Sequence, residues 1–278
     1  MRRFRSRGRS ERPVELEGRR VRAGRLARAE RPARWGRELE AQWTALHRLC
    51  TDRASRSRLA RLLDRLTGHD RGALESALAE LELATLLVRA GFSIGFLPES
   101  QTRTADLECS LGQERMFVEV TALVGSRRRP RWDSTARERK SVDEEENDGG
   151  HVLTNRLVAR ISQKARQLVH YCAPVLLAIT VPHRDPWQDR VTEELDLKRL
   201  AGTVTVMLTL VRHVSAVLLS LWDVESAPAR SGVRLANVHM VERPSRQTAY
   251  PRVRLLILNP AAAYPLSGWE IEALKGLL

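Results

Sequence analysis

Apolar residues along the first third of the chain recur at helical spacing, then switch to alternation. Leu, Trp and Ala repeat every three to four positions from Glu38 to Leu49 and from Ser57 to Leu66, which predicts two amphipathic helices joined near Thr51 to Ser55. A longer helix is predicted from about Ala73 to Ala90, stopped by Gly91, the residue type that most readily takes the left-handed conformation after a helix end. Three strand-like runs follow, Phe92 to Leu97, Ala105 to Leu111 and Arg115 to Leu123, separated by turn residues. Beyond a polar stretch, a helix is expected from about Leu153 to Tyr171. Pro174 then leads into the apolar run Val175 to Val181, which has the look of a central strand. A helix around Leu195 to Leu210 and strands Ser215 to Trp222 and Arg252 to Leu258 come next. The chain closes with a helix introduced by Ser267, whose S-x-x-E spacing to Glu270 is a capping box. Helices alternating with apolar strands after an early hairpin predict an α/β fold, a mixed central sheet flanked by helices, with additional helices at the N-terminal side.

Composition divides the chain. Residues 1 to 35 are dense in Arg, with Gly, Pro and few large apolar side chains, so they are expected to form a disordered arm. Residues 36–70 then form a helical segment and 71–278 the α/β domain, with a polar loop at about 125–150. The formal charge is +13, yet residues 1 to 36 hold thirteen Arg against four Glu, a net +9, which leaves only +4 for the rest. A basic balance suits a nucleic-acid partner, and most of it belongs to the arm. Arg127, Arg128, Arg129 and Arg131 open the polar loop and are candidates to contact a phosphate backbone. Cys50, Cys109 and Cys172 are odd in number and form no CxxC pair, so neither a disulfide framework nor a zinc knuckle is expected. No secretory signal is recognisable, and the apolar stretch Val204 to Trp222 is interrupted by Arg212 and His213, which argues for a helix end, a turn and a buried strand in place of a membrane span. The expectation is a cytoplasmic protein with no membrane partner.

The hairpin of the second and third strands carries the candidate chemistry. With Gly112 and Gln113 as a two-residue turn, Leu107 falls opposite Val118 and Cys109 opposite Met116. Asp106 then lies opposite Glu119. Alternation puts Leu107, Cys109, Leu111, Met116, Val118 and Val120 on one face and Asp106, Glu108, Arg115, Glu119 and Thr121 on the other. Facing carboxylates repel unless a cation sits between them or one is protonated. A hard divalent ion, Mg²⁺ or Mn²⁺, resolves that conflict with one or two carboxylates and its own waters. Glu80 shares a helical face with Leu83, Ala84 and Leu87, with Glu82 the alternative if the helical phase differs. Lys164 falls in the apolar stripe Leu157, Ile161 and Leu168, where a lysine is unexpected.

These residues resemble the PD-(D/E)XK nuclease superfamily, the restriction-endonuclease-like fold. The likeness runs from Glu80 through Gly91-Phe92, Ala105-Asp106-Leu107-Glu108 and Phe117-Val118-Glu119-Val120-Thr121 to Ile161-Ser162-Gln163-Lys164, Gln167-Leu168 and the strand at Val175. It implies an αβββαβ core in which Asp106 and Glu119 bind Mg²⁺ and Glu80 is an additional acid. The lysine of the pattern is replaced by Thr121, and Lys164 is the candidate to supply it from the neighbouring helix, with Gln163 and Gln167 in supporting positions. The proline that precedes the Asp is replaced by Ala105. On this resemblance the expected function is metal-dependent hydrolysis of phosphodiester bonds in nucleic acid, with DNA the expected form. Two alternatives stand beside it: a nuclease-fold protein that binds nucleic acid without cutting it, and a protein-interaction or assembly module. A homodimer or a protein partner is compatible with each.

Overall fold

The computed structural model describes residues 33–98, 105–124, 149–182, 193–227, 235–244 and 250–278. The expected arm up to residue 32, and the loop 125–148 with Arg127, Arg128, Arg129 and Arg131, lie outside the described residues. Residues 41–278 make one compact unit; Met1–Glu40 make another, of which only the first turns of a helix are described.

Three helices lead the order: α1 (Ala33–Leu49), α2 (Arg53–Thr67) and α3 (Arg71–Arg89). Asp52 and Asp70 cap the second and third, accepting from the amides of Ser55 and Gly72 that have no partner inside the helix. At the end of α3 the chain turns through Gly91 at φ +93°, so that the Phe92 amide reaches back to the Leu87 carbonyl and the Gly91 amide to Val88. This Schellman closure satisfies the last carbonyls and aims the chain into the sheet. Strands β1 (Ser93–Phe96), β2 (Leu107–Leu111) and β3 (Glu114–Ala122) form an antiparallel meander. Then come α4 (Gly149–Ala165), β4 (Val175–Val181), β5 (Glu193–Leu195), α5 (Leu197–Leu210), β6 (Ala216–Leu221), β7 (Val224–Ser226), β8 (Val238–Glu242), β9 (Val253–Leu258) and α6 (Gly268–Lys275).

The main sheet has seven strands in the order β1-β2-β3-β4-β6-β9-β8, with β3, β4 and β6 parallel and the rest antiparallel. A small two-stranded sheet pairs β5 with β7. The α/β class with a mixed sheet is therefore as expected. Leu177, Ile179, Val217, Leu219, Leu255 and Ile257 form one core with apolar residues of α4 and α5, including Leu157, Ile161, Leu200 and Val204. Their strand neighbours Leu176, Leu218 and Leu256, which alternation directs to the other face, are buried as well, so the sheet is covered on both sides.

The hairpin register is the expected one: Leu107 pairs with Val118, Cys109 with Met116 and Leu111 with Glu114, and Gly112 turns at φ +63°. Four expectations need correction. The expected segregation of an apolar from a polar face does not hold, because β3 is buried on both sides from Met116 to Ala122 and Phe117 shares the face of Glu119. Phe117 packs there with Ala105, Leu168, Val175 and the ring of Tyr171. Second, α4 stops at Ala165, not at Tyr171, and tight turns follow; the Ala165 carbonyl is taken by Nε2 of His213 at 2.7 Å. Third, α1 begins at Ala33, inside the segment expected to be disordered. Fourth, β5, β7 and β8 were not expected: two are three residues long, and β8 is a largely exposed edge with little apolar alternation.

Candidate active site

Asp106 stands one residue before β2, where that strand stops short of the length of β3. The Val120 amide on β3 would lose its ladder partner there, and Oδ2 of Asp106 accepts its hydrogen bond at 2.8 Å. Just upstream, the amide of Ala105 donates to the Tyr171 hydroxyl at 2.7 Å, which pins the chain at the residue before the Asp. Glu119 sits in mid-β3, paired with Leu177 of β4, so its side chain shares a face with the core residues that pack on α4. Lys164, in the last turn of that helix, puts Nζ 2.5 Å from Glu119 Oε1. Residues 45 apart in sequence thus meet in a partly buried ion pair.

Glu80 is on the site side of α3, and Glu82 is not. Glu82 pairs with the buried Arg254 of β9 at 2.6 Å. Glu80 is almost wholly buried, and both its oxygens are engaged: Oε1 by Arg58 Nε at 2.8 Å, Oε2 by Arg58 Nη2 at 3.1 Å and Arg65 Nη2 at 3.0 Å. The same Arg58 Nη2 lies 2.6 Å from Oδ1 of Asp106. Three carboxylates and three cations therefore fall into two neighbouring sets of ion pairs, Arg65–Glu80–Arg58–Asp106 and Lys164–Glu119, drawn from α2, α3, the start of β2, β3 and α4 and close enough for Asp106 to feel the Glu119 and Lys164 charges.

Electrostatics in this cluster favour added positive charge or a proton. Burial first, then the Glu119 charge, push the Asp106 carboxyl up to about 6, against the Val120 amide, Arg58 and Lys164. Burial also raises Glu80, helped by Asp106 and opposed by Arg58 and Arg65. Glu119 is raised by burial despite its bond to Lys164. Carboxyls that hold protons beyond their ordinary range, side by side, are those that a bound cation relieves.

The sequence-predicted residues divide. Glu80, Asp106, Glu119 and Lys164 come together. Thr121 is buried on the face of Glu119 two residues further along β3, and pairs with Ile179. Gln163 is exposed and accepts from Arg160 at 3.2 Å, away from the cluster, and Gln167 lies past the end of α4. Arg58, Arg65 and Tyr171 were not anticipated. Arg58 and Arg65 are seven residues apart beside the stripe Leu59, Leu62 and Leu66, a spacing that puts them on one helix face.

Among the described residues no three of His, Cys, Asp or Glu gather as a metal-holding group. The donor chemistry of the Asp106 and Glu119 pair, two neighbouring hard-oxygen carboxylates, fits a Mg²⁺-type ion that keeps most of its waters. No helix of the described residues is long and apolar enough to cross a membrane. No family model, no curated protein and no solved structure matches the chain.

Proposed function

We propose that this protein is a Mg²⁺- or Mn²⁺-dependent nuclease with a restriction-endonuclease-like core, hydrolysing phosphodiester bonds in nucleic acid, with DNA the favoured substrate. The observation that carries the reading is the meeting of Lys164 with Glu119 beside Asp106: an ammonium from α4 reaches the glutamate that stands two residues before Thr121, where the family pattern has a lysine. The order α3-β1-β2-β3-α4-β4 supports it, being the helix, three strands, helix and strand that the resemblance implies. Three free thiols, two of them buried, suit a reducing cytoplasm.

Asp106 and Glu119 would hold the ion. When bound, it would supply Lewis-acid polarisation of a phosphoryl oxygen and lower the pKa of its water. The chain's own residues do the rest. The Val120 amide fixes the Asp106 carboxylate through Oδ2, and the Ala105–Tyr171 bond fixes the backbone beside it, so the ligand is oriented before substrate arrives. Lys164, held by Glu119, brings a positive charge to the place where negative charge develops on the phosphoryl group, and its N–H groups orient a nucleophilic water.

In purified full-length protein, Asp106→Ala and Glu119→Ala are each expected to abolish Mg²⁺-dependent cleavage of DNA and RNA substrates while circular dichroism stays unchanged. Lys164→Ala is expected to lose cleavage and keep nucleic-acid binding. Cleavage retained in both carboxylate variants would sink the assignment. A second reading has its own support: Arg58 and Arg65 already neutralise Glu80 and Asp106, as a nuclease fold that binds without cutting would permit. Salt-dependent binding with no cleavage by the wild type under any divalent ion would favour it.

A further inference from the structure

The two oxygens of Asp106 are not equivalent. Oδ2 is committed to a backbone amide of the sheet, which cannot move without breaking the β3 strand. Oδ1, which no backbone amide holds, is the oxygen offered to a metal ion, and it lies 2.6 Å from Nη2 of Arg58. A divalent ion bound to the same oxygen atom would face a full positive charge at close range inside a poorly solvated cluster, where screening is weak. The guanidinium and the ion therefore compete.

Arg58 has the means to yield. Its Nε and Nη2 form a two-point clamp on Glu80, and Glu80 is held independently by Arg65. Releasing Oδ1 gives up the hydrogen bond to Asp106 and leaves the buried Glu80 carboxylate paired. A planar guanidinium with donors in a fixed fork can give up one acceptor and keep the other, which an ammonium cannot do as readily. Glu80, with both oxygens occupied by arginines, is placed to hold this cation in position.

Resting on the metal-dependent reading above, we infer that Arg58, anchored by Glu80, is the resident counter-cation of Asp106, and that a divalent ion binds between Asp106 and Glu119 by displacing it from Oδ1. Arg58 and Glu80 are positioning residues on this account, with Glu80 acting through the arginine. The site keeps its carboxylates compensated while no metal is bound, and the Arg58–Asp106 contact lowers its affinity for metal.

The test is calorimetric titration of the full chain with MnCl₂ at about pH 8.5, well above the ordinary carboxylate range. Arg58→Gln is expected to bind Mn²⁺ about tenfold more tightly than wild type or better, the scale of one charge-assisted hydrogen bond. Arg58→Lys, which keeps the charge and yields the contact less readily, is expected to bind no more tightly than wild type, and adding Glu119→Gln to Arg58→Gln is expected to remove the binding. A merely structural Arg58 would not raise affinity when removed. Wild-type binding with equal or weaker binding by a folded Arg58→Gln overturns the displacement and leaves the metal reading standing. Binding by neither protein overturns both. Because Arg58→Gln leaves the buried Glu80 carboxylate with Arg65 alone, the pair Arg58→Gln with Glu80→Gln removes both partners and is read by the same outcomes if the single variant does not fold.

Discussion

Asp106 carries a conflict that pH should reveal. Its folded carboxyl holds a proton up to about 6 against an ordinary 3.8, because burial and the Glu119 charge outweigh the Val120 amide, Arg58 and Lys164. The folded state therefore binds the proton more tightly than the unfolded one. The stability so gained is complete below the unfolded value and is lost as pH rises through about 6. Glu80 and Glu119, also raised, act in the same sense. Without divalent ions, urea unfolding should thus show stability falling between pH 4 and pH 7 by about 3 kcal/mol at most from Asp106. Asp106→Asn should flatten that slope; an unchanged slope in the variant would show that Asp106 is not its source. Much of this cluster was legible in the sequence. One turn at Gly112 fixed the register that brings Asp106 and Glu119 to the same level, and an out-of-place lysine in an apolar stripe marked Lys164. Arg58 and Arg65 were not legible, because α2 holds arginines at 53, 56, 58, 61 and 65, and so long a side chain can serve core rim or solvent from most helix positions. Tyr171 was hidden by its assignment to a helix that ends six residues earlier.

At the scale of elements, the pattern of buried positions decided what could be foreseen. Val175–Val181 is continuous and apolar because it lies between two parallel neighbours with both faces covered, and it was expected at the bounds it has. Ser267 and Glu270 form the capping box that their spacing announced, with the Ser267 amide 2.7 Å from Glu270 Oε2. Edge strand β8 gave no signal: Met240, Val241 and Glu242 are exposed, so nothing selected an alternating sequence there. The junction of α3 with β1 rests on Gly91, whose φ of +93° an L side chain rarely adopts, although the space around it would admit a methyl group. Gly91→Ala should therefore cost about 1 kcal/mol through backbone strain alone, seen as a lowered urea midpoint with an unchanged slope. A neutral effect would mean that the turn relaxes without disturbing α3.

For the whole molecule, charge and topology separate. The net +13 lies mostly in residues 1 to 36, while the candidate site is neutral by pairing, three carboxylates with three cations. General basicity therefore said little about where chemistry would sit, and strand order said more, since β3 and β4 run parallel and bring α4 across the sheet onto Glu119. Helix α3 is secured on two sides. Glu80 is tied to α2 through Arg58 and Arg65, and Glu82, two residues on, is tied through Arg254 to a strand 172 residues away. A helix tied to both α2 and β9 is expected to open only with them. Amide hydrogen exchange should bear this out: the central amides of α3 are expected to exchange only through global unfolding, at the same free energy as those of β4 and β9. Arg254→Met should lower that free energy for all three elements together; protection lost in α3 alone would mean that the helix opens as a separate unit. The Glu82–Arg254 pair, on the other side of α3 from the candidate site, would then help to decide how seldom the Glu80 end of that site comes apart, and the site's lifetime would be a property of the whole described fold.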